Sequence, residues 1–469
     1  MLFYRIEFIL MFAATLLFLR LVKSRRIQNW YLLIASYYFY AYWDWRFCGL
    51  LLFSTTLDYW IARALQNSNH NRTRALLLAA SLSCNLGVLA TFKYCNFFID
   101  NLQYMLNPLG MNLRHLQIIL PVGISFYTFQ TMSYVIDNYR RKLEPCRHWT
   151  DYALYVSFFP QLVAGPIVRA SELLPQILSD RRLSWDRMAN GFRQFTLGMF
   201  KKVFIADNLA LFVDHIFGNA GAFDCQTTWL AVIAYAIQIY CDFSGYSDMA
   251  IGIARMMGFD FSVNFNLPYL ARNFTEFWHR WHISLSTWLR DYLYIPLGGN
   301  RKGKNRAHVN IMITMLLGGL WHGASWNFIL WGFIHGLALI THKVYLAWLG
   351  KHKDSSKQTS LIEVFAGWTI TMLVVLIGWV FFRTVDIKNA LNILGQMFIP
   401  HGGIHHISPF PLMIVAGFIL HHSVNKTKLS KWTGLDIRQW ATPAALYIMI
   451  LLTILYWPRG FHPFIYFQF

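Results

Sequence analysis

The sequence predicts an all-α polytopic membrane protein, on the grounds of its composition, its recurring apolar stretches and the charge of its loops. Of 469 residues, 56% are hydrophobic and 13% are charged, whereas soluble domains carry about 25% charged residues. Apolar stretches long enough to cross a bilayer recur along the chain, and the connections between them are short and basic. The net charge of +19 comes with no nucleic-acid-reading motif, so membrane topology explains it better than nucleic-acid binding.

The apolar stretches predict about eleven transmembrane helices plus re-entrant or interfacial helices. The stretch at 6–22 is predicted to be a retained span rather than a signal peptide, because its basic cluster follows the apolar run. Further candidate stretches, several of them too short or too interrupted for a simple span, lie at 30–43, 47–65, 75–93, 116–136, 152–168, 191–217, 228–256, 309–321, 324–346, 361–382, 409–424 and 441–457.

One of these stretches, 152–168, is interrupted by Pro160 and by Gly165-Pro166. A broken helix at membrane depth is tolerated where protein or water satisfies the freed backbone groups, so this segment is predicted to be re-entrant. No polar stretch is long enough to fold alone. The chain is therefore predicted to be a single membrane-embedded domain over 1–469.

The six cysteines are scattered in or beside apolar segments and form no C-x-x-C pair, which is typical of small buried hydrophobes. No Cys/His spacing fits zinc, so no metal site is predicted. The glycine- and lysine-rich run from Gly298 to Lys304 favours a basic connecting loop, although it could also meet a phosphate electrostatically.

His322 lies in the run Leu316 to Ala324, which is otherwise apolar enough to cross a bilayer. Ionisable groups at membrane depth are costly and usually carry function. Histidine suits proton transfer because its unperturbed pKa lies near neutrality. Packing alone explains this histidine poorly, since a buried imidazole needs a hydrogen-bond partner merely to offset its desolvation. His335, further along, is interpreted as a supporting or lining residue.

The segment 273–292 predicts one amphipathic helix, on which Trp278, Trp281, Leu285 and Trp288 share a stripe at helical spacing. For the tryptophans the pattern favours interfacial anchoring. For His282 a structural and a functional role remain equally open. The charges on this segment are predicted to pair with one another, and they belong to Glu276, Arg280, Arg290 and Asp291.

Asp242 and Asp248 form a second polar island inside the apolar stretch 228–256. Two carboxylates at membrane depth indicate either a cavity or pairing with an arginine such as Arg255. A transporter could use such acids as a proton or cation relay, and an enzyme could use them to orient a histidine or hold a substrate hydroxyl.

Several long motifs resemble the membrane-bound O-acyltransferase family, and most of all its alginate O-acetyltransferase branch. The first histidine motif runs from Trp278 to Arg301, and the second from Leu316 to Ala324. The resemblance extends to Ile119–Tyr127, Ala164–Pro166, Tyr240–Gly252 and the closing Tyr466–Phe469. Cellulose-acetylating relatives share this core, so the polymer stays open.

The resemblance implies a helical enzyme of the bacterial inner membrane, with its motif core at about 115–345 and a central tunnel through the bilayer. Acetyl-CoA would be the cytoplasmic donor, with no resident cofactor. The acetyl group would reach an exopolysaccharide, alginate or cellulose, directly or through a periplasmic partner acetyltransferase of the serine-hydrolase-like type. His322 carries over as the catalytic histidine and His282 as the second motif histidine.

The chemistry of the residues fits this activity. Neutral His322 can act as general base on a hydroxyl, and protonated His282, Trp281 or Asn327 could stabilise the charge that develops on the thioester oxygen. CoA is polyanionic, so Arg301, Lys302 and Lys304 are predicted to recruit it. The residues expected to line the tunnel are Asp242, Asp248, His335, Trp288 and Asp291.

Two other functions remain as alternatives. One is a proton- or cation-coupled transporter with Asp242 and Asp248 in its path, and the other is a lipid or peptidoglycan O-acyltransferase on the same scaffold. Transport predicts coupled substrate movement without loss of a thioester. Acyl transfer predicts release of free CoA that depends on His322.

Overall fold

A computed structural model describes residues 1–350, 360–424, 443–457 and 464–465, with the side chains of 421–424 excepted. The elements in these ranges are helices, apart from an isolated parallel bridge between Phe223 and Ile404, which confirms the all-α class. The chain divides into two compact units, 1–195 with 247–262 and 196–246 with 263–469. The closing motif from Tyr466 and the basic clusters at 351–357 and 426–431 lie outside the described residues.

The first unit is built from helices that match most of the predicted apolar stretches. A π-helical turn, Ala90–Tyr94, joins the helix Asn71–Leu89 to the helix Cys95–Leu106. The helices are α1 (Ile6–Leu21), α2 (Arg25–Asp44), α3 (Arg46–Asn67), α4 (Asn71–Leu89), α5 (Cys95–Leu106), α6 (Ile124–Tyr139), α7 (Trp149–Ser157), α8 (Phe159–Leu162), α9 (Ala170–Leu178) and most of α10 (Trp185–Met199).

The helix predicted at 116–136 begins later than expected, at Ile124. Pro121 has no backbone N–H, and the next turn passes through Gly123 with φ of 78°. A Cβ on Gly123 would stand 2.5 Å from the carbonyl oxygen of Leu162, so only glycine fits this crossing. The N-terminal part of that prediction is therefore wrong.

The segment 152–168 is interrupted where the sequence predicts. Helix α7 ends at Ser157, α8 covers only Phe159–Leu162, and the chain is then non-helical until α9 begins. Every residue from 152 to 168 is buried within the first unit. Protein therefore surrounds the freed backbone groups, as a broken helix requires, and the re-entrant path through a membrane stays a prediction.

The second unit carries both histidine motifs. It begins at the end of α10, and a π-helical segment, Phe200–Ala206, leads into its first complete helix. The last part of the long helix Cys225–Met256 belongs to the first unit. The helices are α11 (Asp207–Gly218), α12 (Cys225–Met256), α13 (Phe274–Arg280), α14 (Ile283–Leu289), α15 (Lys304–His322), α16 (Trp326–Trp348), α17 (Leu361–Arg383), α18 (Ile387–Phe398), α19 (Pro409–Val424) and α20 (Pro443–Leu455).

Helices α15 and α16 pack against each other at close range along their length. A Cβ on Gly319 would overlap the carbonyl of Phe328, and one on Gly332 would overlap the carbonyl of Met315. Small residues permit this kind of backbone approach between membrane helices. The pair is the part of the fold that places His322.

Large apolar side chains are exposed along several helices. Leu361 is 88% exposed, and Ile362 and Trp348 are each 81% exposed. Exposed apolar area on this scale indicates a lipid-facing surface. Among the described residues, three helical segments are long and apolar enough to cross a membrane: Asn71–Leu109, Trp326–Trp348 and Leu361–Arg383. The figure of about eleven spans and the central tunnel remain predictions.

We expect Gly332→Ala to destabilise the second unit, because the new methyl group must push α15 away from α16. Overpacking typically lowers the free energy of unfolding by about 1–3 kcal/mol. The control is Gly395→Ala in α18, where a Cβ meets nothing within 4 Å and where alanine favours helix by up to about 1 kcal/mol. Thermal unfolding in detergent tests the pair, and equal or higher stability of Gly332→Ala would contradict the packing argument.

Candidate active site

The first histidine motif is not one continuous helix. Helix α13 ends at Arg280, Trp281 is extended, and His282 adopts a left-handed conformation with φ of 42° and ψ of 56° before α14 begins. A residue other than glycine rarely takes this conformation, which costs roughly 1–2 kcal/mol. The prediction of a single amphipathic helix over 273–292 is therefore wrong at His282.

Asn264 supports the chain at this break. Its backbone carbonyl accepts the N–H of Ile283 at 2.9 Å, and its side-chain oxygen accepts the N–H of Ser284 at 3.1 Å. The Ser284 hydroxyl lies 2.9 Å from the same oxygen, and Nδ1 of His282 lies 3.2 Å from it. The first N–H groups of a helix need external acceptors, and Asn264 supplies them where the His282 side chain does not.

His282 is fully buried, and aromatic rings surround its imidazole. Phe243 meets the ring edge-on at 4.6 Å between centroids, and Trp321 lies at 6.1 Å. Nε2 of His282 has no hydrogen-bond partner within the part of the chain that the structure describes. The ring is therefore held at Nδ1, while its other nitrogen stays available.

His322 is the last residue of α15 and is 3% exposed. Three rings meet its imidazole edge-on: Trp331 at 4.9 Å, Trp321 at 5.0 Å and Phe382 at 5.2 Å between centroids. These rings come from α15, α16 and α17 and shield the imidazole from water. Since Trp321 contacts both motif histidines, the structure brings His282 and His322 to one aromatic cluster.

His335 joins the same cluster from the middle of α16. It is fully buried, and Trp331, one helical turn earlier, lies 4.7 Å from it between ring centroids. Neither ring nitrogen of His335 has a hydrogen-bond partner among the described residues. Gly378 of α17 makes room for the ring, because a Cβ there would stand 2.9 Å from Nε2 of His335. Trp331 is therefore in ring contact with both His322 and His335.

The tryptophans of the first motif belong to the protein core. Trp281 is 1% exposed and packs on Trp379 at 4.9 Å, while Trp278 and Trp288 are 9% and 5% exposed. Side chains so fully enclosed by protein cannot serve as interfacial anchors, so that interpretation is wrong. The reason is that the helix breaks at His282. The tryptophans therefore do not share one face of a continuous helix, and they pack inside the second unit.

The charges of this segment pair as predicted. Glu276 accepts from Arg280 at 2.8 Å and from Arg272 at 3.1 Å, and Asp291 accepts from Arg290 at 2.7 Å. Asp291 is half-buried. Since its carboxylate is engaged by the neighbouring arginine, a contact with substrate would compete with that pair.

Asp242 lies in a buried ion cluster. Nζ of Lys202 stands 2.5 Å from the Asp242 carboxylate and 2.8 Å from that of Asp207, and the backbone N–H of Ile465 donates to Asp242 at 2.9 Å. Asp242 therefore pairs with a lysine rather than with an arginine. Lys202, which lies within the predicted apolar stretch 191–217, is 3% exposed in the π-helical segment.

Asp248 lies in the first unit and is half-buried. The side-chain amide of Gln194 donates to Asp248 at 3.3 Å and accepts from Arg255 at 3.0 Å. Gln194 thus links the acid to the arginine that the sequence proposed as a partner.

The residues predicted to act on acetyl-CoA differ in their surroundings: the basic residues predicted to recruit CoA are exposed, whereas Asn327, a candidate to stabilise the thioester oxygen, is engaged within the protein. Arg301, Lys302 and Lys304 are exposed at the start of α15, so their charges are available to an anion. The amide nitrogen of Asn327 donates to the backbone oxygen of Thr384 at 2.8 Å and to its hydroxyl at 3.1 Å. That amide secures the end of α17, and a role toward substrate would require it to leave Thr384.

A sequence model of the membrane-bound O-acyltransferase family matches residues 146–381, just over half of the chain. The chain belongs to the membrane-bound O-acyltransferase family. It is therefore a polytopic membrane protein and an O-acyltransferase. The matched residues include both histidine motifs and the rings of Trp321 and Trp331 beside His322, and the match ends one residue before Phe382.

Named relatives align over most of the chain. It is 42% identical over 398 residues to the probable alginate O-acetylase of Pseudomonas putida, covering 83% of this chain and 79% of that protein. Identity to the probable alginate O-acetylase of Pseudomonas aeruginosa is 45% over 401 residues, covering 83% and 74%. Identity to the peptidoglycan O-acetyltransferase of Helicobacter pylori is 38% over 401 residues, covering 80% and 74%.

Sequence reasoning missed three residues that organise this region. Lys202 could have been found because Val203 to Ala206, directly after it, are apolar. Asn264 carries only a weak signal, as an asparagine shortly before a proline. Trp331 carries none, because its importance comes from the approach of α15 and α16.

We expect Lys202→Met to destabilise the protein, because it leaves two buried carboxylates without their cation. Removing one partner of a buried ion pair costs about 3–5 kcal/mol. Adding Asp207→Asn and Asp242→Asn to that variant should restore most of the loss. Thermal unfolding in detergent provides the measurement.

The matched control is Lys201→Met, since Lys201 is only half-buried and lies 5.7 Å from the Tyr240 ring. It should cost clearly less than Lys202→Met. Equal losses for the two lysines would mean that the buried cluster does not contribute as argued.

Proposed function

We propose that this protein is an O-acetyltransferase of the bacterial inner membrane that supplies acetyl groups to an exopolysaccharide. The observation that carries the proposal is sequence identity of 42–45% to probable alginate O-acetylases over about four fifths of the chain. Acetyl-CoA is the proposed donor, approaching from the cytoplasm and requiring no resident cofactor. The whole chain would act as one catalytic domain around a tunnel that joins the two membrane faces.

The proposed reaction assigns His322 as general base. Its neutral imidazole takes the proton from an acceptor hydroxyl, whose oxygen attacks the carbonyl carbon of the thioester. The new ester C–O bond forms, the C–S bond breaks, and the proton passes from His322 to the thiolate, which leaves as free CoA. The enclosure of His322 by Trp321, Trp331 and Phe382 supports this role, because it keeps water from competing with the acceptor hydroxyl.

Charge that develops on the thioester oxygen needs a hydrogen-bond donor in the same enclosure. Among the residues predicted from sequence, Asn327 is engaged with Thr384 and Trp281 is packed on Trp379. The indole N–H of Trp331 has no acceptor among the described residues, and its ring contacts His322. Trp331 is therefore the donor that the geometry favours.

The acceptor is proposed to be a polysaccharide hydroxyl such as those of alginate or cellulose, reached directly or through a periplasmic acetyltransferase partner. Peptidoglycan is the second candidate, because the Helicobacter pylori relative is named for that acceptor. Both readings share the donor and His322, and they differ only in the glycan that gains the ester. Coupled transport is disfavoured, because the family transfers acyl groups and Lys202 neutralises Asp242.

We expect His322→Ala to abolish acetylation of the host's secreted polysaccharide at a normal protein level, because no base remains to activate the hydroxyl. General bases contribute about 10²- to 10⁴-fold to rate. The measurement is O-acetyl content by NMR in wild type, a gene deletion and the variant. His308→Ala is the control, since it removes a half-buried histidine from the same helix.

The glycan that loses acetyl in the deletion identifies the acceptor, including peptidoglycan if that fraction is analysed. Normal acetylation in His322→Ala, with loss in the deletion, would overturn the base assignment but not the reaction. Unchanged glycans in both strains would overturn the proposed function.

Neutralising the basic loop should raise KM for acetyl-CoA, because three exposed cations no longer attract the nucleotide phosphates. Replacing Arg301, Lys302 and Lys304 by Gln removes interactions of about 0.2–1 kcal/mol each, so we expect at least a severalfold rise in KM with kcat little changed. Release of free CoA thiol from washed membranes supplies the measurement, and the wild-type KM should rise with salt.

The matched control replaces the exposed basic residues Arg141, Lys142 and Arg147 by Gln. It removes the same charge from another loop, so it should leave KM for acetyl-CoA unchanged. A similar KM for the wild type and the 301–304 variant would exclude donor recruitment by that loop.

A further inference from the structure

The side-chain oxygen of Asn264 can be identified from its partners. A backbone N–H can only donate, and the N–H of Ser284 points at this atom from 3.1 Å. The atom must therefore be the amide oxygen rather than the amide nitrogen of Asn264, whose two atoms look alike in shape. The Ser284 hydroxyl lies 2.9 Å from the same oxygen and 3.5 Å from Nδ1 of His282, so its proton goes to the nearer acceptor, the oxygen of Asn264.

This oxygen decides the tautomer of His282. Nδ1 of His282 lies 3.2 Å from it, and an amide oxygen only accepts hydrogen bonds. The proton of a neutral imidazole at this position must then sit on Nδ1, which leaves a lone pair on Nε2. Nε2 is buried and meets no hydrogen-bond donor among the described residues.

From this geometry we propose that Asn264 is a positioning residue, which holds His282 in the Nδ1–H tautomer so that Nε2 acts as a hydrogen-bond acceptor in the acyl-transfer site. The proposal rests on the proposed function for what Nε2 meets. There it accepts a hydrogen bond from a donor-bearing group of the substrates, either the acceptor hydroxyl or an amide N–H of the pantetheine arm. Neutral His282 cannot then donate from Nε2 to the thioester oxygen.

The local backbone shows why Asn264 is needed for this. His282 lies at a left-handed turn between two short helices, and that conformation is unfavourable for histidine. Asn264 binds the two residues that follow His282. Its backbone oxygen accepts the N–H of Ile283 at 2.9 Å, and its side-chain oxygen accepts that of Ser284 at 3.1 Å. The same residue thus fixes both the backbone turn and the ring that projects from it.

The tautomer is testable without any activity. In protein carrying ¹⁵N-labelled histidine and reconstituted in lipid nanodiscs, the His282 signals are assigned by their loss in His282→Gln. Solid-state ¹⁵N spectra distinguish a protonated Nδ1 from a protonated Nε2. We expect protonated Nδ1 in the wild type and in Asn264→Asp, which keeps an oxygen acceptor. In Asn264→Ala we expect a mixture or the other tautomer.

A wild-type spectrum with the proton on Nε2 of His282 overturns the proposal, as does an unchanged tautomer in a folded Asn264→Ala protein. If Asn264→Ala fails to fold, the wild type and Asn264→Asp decide the question. Because these spectra need no acetyl donor, the tautomer can be confirmed even where CoA release fails, and the two proposals are then separated.

Activity provides the second readout. We expect Asn264→Ala to lower kcat for CoA release by about tenfold or more, whereas Asn266→Ala, at an exposed asparagine two residues away, should match the wild type. In Asn264→Asp a carboxylate faces Nδ1 and stabilises the imidazolium. Its activity should therefore fall at a higher pH than that of the wild type as the solution is acidified. Identical acid limbs for those two proteins would contradict the positioning role.

Discussion

The close contact between α15 and α16 is the constraint on which the rest of the site depends. Backbone meets backbone at Gly319 and Gly332, where any side chain would overlap a carbonyl of the facing helix. This contact brings Trp331 against His322, at the end of the facing helix, and His335, one turn further along α16, contacts the same indole. The aromatic enclosure of His322 thus depends on two glycines, of which Gly319 belongs to the second histidine motif and Gly332 lies on the facing helix.

A second constraint is that burying a charged or polar group in an apolar protein is costly unless the protein supplies a partner for it. In the second unit, Lys202 is the partner of two buried carboxylates. Beside His282, the side-chain oxygen of Asn264 lies within hydrogen-bond distance of three groups. In the first unit, the buried carboxylate of Asp58 accepts hydrogen bonds from Ser81 at 2.6 Å and from Asn85 at 2.8 Å. Each of these contacts joins different segments of the chain, so each constrains how those segments are positioned against one another.

Hydropathy and resemblance predicted the helical class and the bounds of most helices, because burial in lipid requires long apolar runs. The same reasoning failed at Ile124 and at His282, where one tight turn overrides a continuous apolar pattern. It also missed Lys202, because a positive charge beside an apolar run usually belongs to a loop. Contacts such as Trp331 with both His322 and His335 depend on how two helices approach, and no local pattern encodes that approach.

The two motif histidines differ in what holds them, and this difference bears on their chemistry. His282 is tied through Nδ1 to an amide oxygen and is fixed in orientation by a strained turn. His322 ends a helix and is enclosed by rings from three helices. A general base must accept a proton and then release it to a different atom, and this enclosure keeps water from competing for that proton. An acceptor that aligns a substrate benefits from being fixed. We therefore keep the proposed assignment of proton transfer to His322 and of alignment to His282, although both are buried in the same aromatic cluster.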